Sequence, residues 1–169
     1  MKDLIRRIRR HKLILAVSCL LFTIMCISCD KQEIYYRYHQ LKGGEWGYRD
    51  TLVYDIDSTL FELNTPYLIT IELTNNTDYP YQNIWLNMQL NLDNDSVYSH
   101  SSKEYMLADE SGKWHGSGFG SLYQSSFTSK EPVVFTEKRN YCIRLVHGMR
   151  DTSLKGIEKA GIRLSKEAE

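Results

Sequence analysis

Period-two alternation of apolar and polar side chains is the feature that most narrows what this chain can fold into. In Tyr67–Thr74, Tyr67, Ile69, Ile71 and Leu73 share one face, while Thr70, Glu72 and Thr74 share the other. Ile84–Leu92 repeats the pattern, with Leu86, Met88, Leu90 and Leu92 inward and Asn87, Gln89 and Asn91 outward. Asn140–His147 sets Tyr141, Ile143 and Leu145 against Arg144. Successive side chains of a strand point to opposite faces, so each run reads as a half-buried strand. Thr51–Asp57, Glu104–Leu107, Val133–Thr136 and Gly161–Ser165 are shorter candidates. Turn residues separate the runs at Asn75-Asn76-Thr77-Asp78, Asp93-Asn94-Asp95 and Glu110-Ser111-Gly112-Lys113. Leu154–Lys159 suits a helical turn, and no longer amphipathic helix follows residue 30. Short strands spaced by turns predict an all-β fold, an antiparallel β-sandwich, in one domain.

The first 28 residues are of another kind. Residues 2–12 are basic, and 13–28 (LILAVSCLLFTIMCIS) form an apolar run of 16. A basic segment followed by a short apolar one is the pattern of an export signal, whereas a spanning helix needs about 20 apolar residues. Ile27-Ser28-Cys29 resembles the lipobox of bacterial lipoproteins, with Cys26 where Leu is usual. That resemblance implies a lipoprotein signal peptide at 1–28, cleavage before Cys29, and lipid attachment to Cys29. The membrane lipid is then a partner through acylated Cys29, and several acyl chains together make a stable attachment. Residues 29–45 read as the lipidated N-terminus and a tether carrying a short strand at Ile34–His39; 46–169 read as the sandwich. Two of the four cysteines leave with the signal and one is lipidated, so Cys142 stays alone, as a small buried apolar residue, and no disulfide is expected.

Formal charge sums to zero, but six of the 21 basic residues sit in the signal. The remainder, 15 basic against 20 acidic, carries −5. A mildly acidic body lacks the basic footprint that nucleic acid requires, so no nucleic-acid partner is expected. Residues 29–169 amount to 141 positions, enough to bury roughly 68–70% of the unfolded surface in one core.

Candidate chemistry is sparse. His39, His100, His115 and His147 stand outside any paired ligand spacing. The loop KWHGSGFGSLY, with Gly112, Gly116, Gly118 and Gly120, lacks the strand before and helix after that a phosphate cradle needs. Ser117 is not in a nucleophile elbow. Asp55/Asp57, Asp93/Asp95 and Asp109/Glu110 read as solvated turn or edge carboxylates, and Asp93-Asn94-Asp95 lacks the glycine and distal Glu of a calcium loop. No catalytic residue, metal or cofactor is expected. Aromatics are abundant: 12 Tyr and three Trp, with Trp85 out of phase with its strand's inward residues.

Three stretches, Asn76–Met88, Leu107–Tyr123 and Tyr141–Leu164, resemble the gliding-motility lipoprotein family GldH of the Bacteroidota. The motifs are Tyr79-Pro80-Tyr81 with Asn83 and Trp85-Leu86; Leu107-Ala108-Asp109 with Gly112, Trp114 and Gly116-x-Gly118; and Gly148-Met149-Arg150 with Gly156-Ile157. The resemblance runs from about Cys29 to Leu164. It implies a small envelope lipoprotein, most suitably on the outer membrane and facing the periplasm, without catalysis. The partners it implies are other envelope lipoproteins of the gliding and type IX secretion machinery. Loop aromatics and motif residues make Tyr79, Tyr81, Trp85, Trp114, Phe119, Met149 and Arg150 the candidate partner surface. A surface glycan-binding sandwich is the competing reading, and it expects coplanar aromatic rings on one exposed face. Asp50-Thr51-Leu52, Asp57-Ser58-Thr59 and Asp95-Ser96-Val97 fit the O-glycosylation pattern of that phylum, at Thr51, Ser58 and Ser96.

Overall fold

The computed structural model describes residues 33–167. The signal at 1–28 and the lipidation candidate Cys29 lie outside the described residues. The elements in chain order are β1 (Glu33–Gln40), a 3-10 turn (Lys42–Gly44), β2 (Glu45–Gly47), β3 (Leu52–Ile56), β4 (Pro66–Asn76), β5 (Asn83–Leu90) and β6 (Ser99–Met106). There follow β7 (Ser117–Phe119), β8 (Leu122–Thr128), β9 (Val133–Val134), β10 (Tyr141–His147), β11 (Ser153–Lys155) and β12 (Ile157–Lys166). A larger sheet has the order β1-β12-β4-β8-β7, with β9 also on β4. A smaller sheet has the order β3-β10-β5-β6, and β2 pairs with β11 in a two-stranded ribbon. All pairings are antiparallel. The architecture is the expected all-β one.

The alternating runs place the core as their period demands. Tyr67, Ile69, Ile71 and Leu73 of β4, Ile84, Leu86 and Leu90 of β5, and Tyr141, Ile143 and Leu145 of β10 are all buried in a single hydrophobic cluster. The Tyr54 hydroxyl, on β3, donates to the Ala160 carbonyl of β12 at 2.8 Å and so ties one sheet to the other. An aromatic plug closes one region: Phe61 and Phe135 stack at 4.5 Å, and Phe135 meets Tyr141 at 4.6 Å. Such pairs add about 0.5–1.5 kcal/mol each beyond area burial. β4 departs from simple alternation, since Thr70 and Glu72 are buried too. It lies inside the larger sheet, and Glu72 accepts from Arg163 Nη2 at 2.7 Å and from the Ser126 hydroxyl, which covers the outer face there.

The short strand expected at Ile34–His39 is present as Glu33–Gln40, an edge strand in register with β12, and its Tyr35 turns into the core. Three expectations need correction. Leu154–Lys159 is not helical; Gly156 takes φ +83° between β11 and β12, and Leu154 and Ile157 bury into the core. The glycine-rich stretch is no irregular loop. Ser117–Phe119 and Leu122–Thr128 form a hairpin turning at Gly120. Cys142 is half-buried on the outer face of β10 rather than in the core, since Tyr141 and Ile143 take the inward positions.

Candidate functional site

The sequence-selected surface residues do not stay together. Tyr81, Trp85, Met149 and Arg150 line one open cleft of about 320 Å³, completed by Gly148 and Asp151. Two elements build it. β5 begins at Asn83 with Ile84 and Leu86 buried, so the intervening Trp85 is forced onto the outer face, where it is 40% exposed. β10 ends at the buried His147, and the chain then folds back over β5. The Gly148 amide donates to the Trp85 carbonyl at 2.6 Å, and the Trp85 amide donates to Met149 Sδ at 3.3 Å. Gly148 permits this approach: a Cβ there would sit 3.3 Å from the Trp85 Cβ. Tyr81 reaches the cleft from the β4–β5 connection. The Asp151 carboxylate beside it raises the phenol's pKa, chiefly by hydrogen bonding.

Tyr79 is the correction, and Trp114 and Phe119 stand apart from the cleft. Tyr79 is 3% exposed, its hydroxyl donates to the Asn83 carbonyl at 2.7 Å, and burial pushes its pKa well up. It is a core residue. Trp114 is half-buried between Tyr79 (6.4 Å) and Tyr123 (5.7 Å) and forms a bridge to Ala108. It does not line the cleft. Phe119 is 91% exposed at the tip of the β7–β8 hairpin and does not line the cleft. The Asp109–Lys113 turn before Trp114 is stiffened from within. Asp109 accepts from the Ser111 hydroxyl at 2.6 Å and from the amides of Ser111 and Lys113, and these bonds hold its carboxyl below the usual range.

Gly148 stands in the Gly148-Met149-Arg150 motif, whereas Asp151 has no signal of its own; only its position after Met149 and Arg150 points to it. His147, isolated in the sequence, is fully buried, and Trp46 (5.7 Å) and Tyr48 (6.1 Å) meet its ring edge-on. The carbonyls of Trp46 and Gly47 lie close, but neither ring nitrogen makes a hydrogen bond of sound geometry. Burial lowers its pKa. Among the described residues no three His, Cys, Asp or Glu side chains converge as a metal site. Asp57 is spent on a turn, accepting from the amide and hydroxyl of Thr59. Among the described residues no helix is long and apolar enough to cross a membrane.

Fold and cleft together define a class: a small antiparallel β-sandwich whose exposed chemistry is aromatic, thioether and guanidinium contact. The chain belongs to the GldH lipoprotein family, whose model matches residues 33–164. It is 31% identical over 160 residues to a gliding motility lipoprotein GldH homolog of Christiangramia forsetii, covering 89% of this chain and 95% of that one. It is 26% identical over 168 residues to the gliding motility lipoprotein GldH of Flavobacterium johnsoniae, covering 95% and 99%. Among solved structures it is similar to a non-crystalline-cellulose-specific carbohydrate-binding module, CBM28, with TM-score 0.46, 12% identity and coverage of 73% and 72%. It is also similar to the CBM36-1 domain of a xylanase from a hindgut metagenome of Trinervitermes trinervoides, with TM-score 0.42, 13% identity and coverage of 83% and 94%.

Proposed function

We propose that this chain is a non-catalytic scaffold of the cell envelope. Lipid on Cys29 holds it to the outer membrane, facing the periplasm, where it docks other lipoproteins of the gliding and type IX secretion machinery. The observation that carries this is the convergence of two motif segments 64 residues apart, Trp85 and Met149, in one open aromatic cleft. Trp, Tyr, Met and Arg are the residue types enriched where proteins meet. Confinement to the same membrane raises effective concentration, so a modest contact suffices. The test is a crosslinking pull-down of the natively lipidated chain against its Trp85→Ala/Met149→Ala variant. Enrichment of gliding or secretion lipoproteins, lost in the variant, supports the reading. Equal recovery by both proteins removes the cleft from it. O-glycans at Thr51, Ser58 and Ser96 belong to the same envelope reading. Thr51 and Ser96 are exposed, while Ser58 is half-buried with its amide bonded to Asn140. Intact mass of the native protein reads their use.

One observation favours glycan binding as a second reading. Tyr36 and Tyr38, not singled out from the sequence, stand exposed together beside a groove with Glu72, Thr74, Gln124 and Lys159. Their rings lie 6.3 Å apart but tilted by 47°, unlike the coplanar platform that this reading expects. Affinity electrophoresis in soluble polysaccharides, with Tyr36→Ala/Tyr38→Ala as control, decides it: retardation that the variant loses supports it, and none removes it.

A further inference from the structure

The two sheets part on the side of β6, and what they leave open has the shape of a missing strand. β6 pairs only with β5 and is the edge of its sheet, so one row of its amides and carbonyls faces outward along eight residues. Its register with β5 sets Ser99 opposite Leu90, Ser101 opposite Met88, and Lys103 opposite Leu86. Partners directly opposite share a face, so β6 offers Ser, Ser and Lys where β5 offers apolar side chains. The consequence is a gap of about 510 Å³ between the sheets. Ile69, Met88, Leu90, Leu92, Tyr105 and Val133 supply its apolar wall. Met88 and Leu92 are only half-buried there, while Ile84 and Leu86, farther along the same strand, are fully covered.

We infer that this edge receives an extended segment of another protein, added as a strand to β6, with apolar residues at every second position entering the gap. Three features of the site select that occupant. A strand satisfies the open hydrogen-bonding row, which a free acyl chain would leave bare. Alternate side chains of an added strand point the same way as Ser99 and Ser101 and bring the apolar groups those serines lack. A second copy of this chain is a poor occupant, because its own β6 would bring the same Ser, Ser and Lys to the gap. The polar edge thus keeps the free protein from pairing with itself. Lys103 and Lys130 outnumber Glu131 around the opening, so the segment carries net negative charge. This inference stands apart from the Trp85 cleft, which lies on the opposite face of β5.

The test uses the mature chain and a set of eight-residue peptides alternating Val, Ile, Leu or Phe with Glu and Thr. Controls are the same compositions scrambled to break the alternation, and alternating peptides N-methylated at every second amide along either edge. Alternating peptides are expected to bind on the order of tenfold tighter than scrambled ones. They should slow amide exchange in β6 and lose binding when the edge that meets β6 is methylated. A Ser101→Leu variant, which fills the gap, should fold at least as stably and lose the peptides. Failure of the whole alternating set, equal binding of the scrambled set, or indifference to methylation at both edges overturns the inference. So does a folded Ser101→Leu protein that binds unchanged; if that variant does not fold, the peptide comparison decides alone. Uptake of a fluorescent palmitate analogue without peptide binding would assign the gap to a lipid chain instead.

Discussion

Gly156 and Tyr79 come from different motif stretches, yet they are pressed together at the base of the ribbon. Gly156 takes φ +83°, and a Cβ on it would lie 2.4 Å from the Tyr79 amide nitrogen. Gly156→Ala therefore meets both a disfavoured backbone and a backbone clash, and should cost about 2–4 kcal/mol in denaturant unfolding. His147 makes a second prediction. Its pKa is depressed by burial in the folded state, so the unfolded chain binds the proton more readily. Stability is then complete above the ordinary value near 6.5 and falls as pH drops below it, levelling off once the folded pKa is passed. Asp50 and Asp151 nearby oppose the shift and moderate it. Thermal midpoints measured from pH 8 to pH 5 should fall for the native chain, and a His147→Phe variant should show a flatter profile. The tryptophans divide by exposure. Trp46→Ala removes a fully buried ring and should cost about 3–5 kcal/mol, whereas Trp85→Ala should stay within about 1 kcal/mol. Urea unfolding of both variants separates structural from contact aromatics.

Elements are held by a few side chains that bind backbone. Arg139 sits where the β5–β6 connection meets the start of β10. Its Nη2 donates to the carbonyls of Asn91 and Leu92, each at 2.7 Å, and its Nη1 to Asp95 at 2.9 Å. Its guanidinium lies 4.0 Å from the centre of the Tyr141 ring. Only a planar, multi-donor group can serve all four, so Arg139→Ala should cost about 1.5–3 kcal/mol and Arg139→Lys should not restore it. Chemical denaturation of the pair checks this. Loosening of residues 91–98 in the alanine variant should also appear as faster amide exchange there. β1 illustrates how an element's role escapes composition. Its residues are mostly polar or aromatic, but Tyr35 enters the core and seven partners along β12 fix its register.

At the scale of the whole molecule, anchor and fold are separable, because the first strand of the sandwich starts at Glu33, four residues beyond the proposed lipid site. Cys29→Ser should move the protein from the membrane fraction to the soluble one. Its thermal midpoint should match that of the wild-type domain within error. Capture of envelope partners should fall with the loss of confinement even though the Trp85 cleft is intact. A variant that stayed membrane-bound would sink the assignment of the lipid to Cys29.

The strands of the core were legible in the residues themselves. Period two in Tyr67–Thr74, Ile84–Leu92 and Asn140–His147 is a local property, since each side chain's face follows from its neighbour's, and the family motifs are local strings as well. The exposure of Trp85 follows from the same rule. Tertiary structure decided what depends on partners distant along the chain. β1 reads as a short strand within a tether until β12 pairs along its whole length, and Gly116–Tyr123 reads as a loop until it folds into a hairpin on β4. Tyr79 looks like a surface aromatic until Gly156 makes room above it. The cleft and the open edge of β6 belong to that second kind. Each is made by segments distant along the chain, 64 residues apart for Trp85 and Met149, brought together by sheet pairing that no short window of sequence encodes.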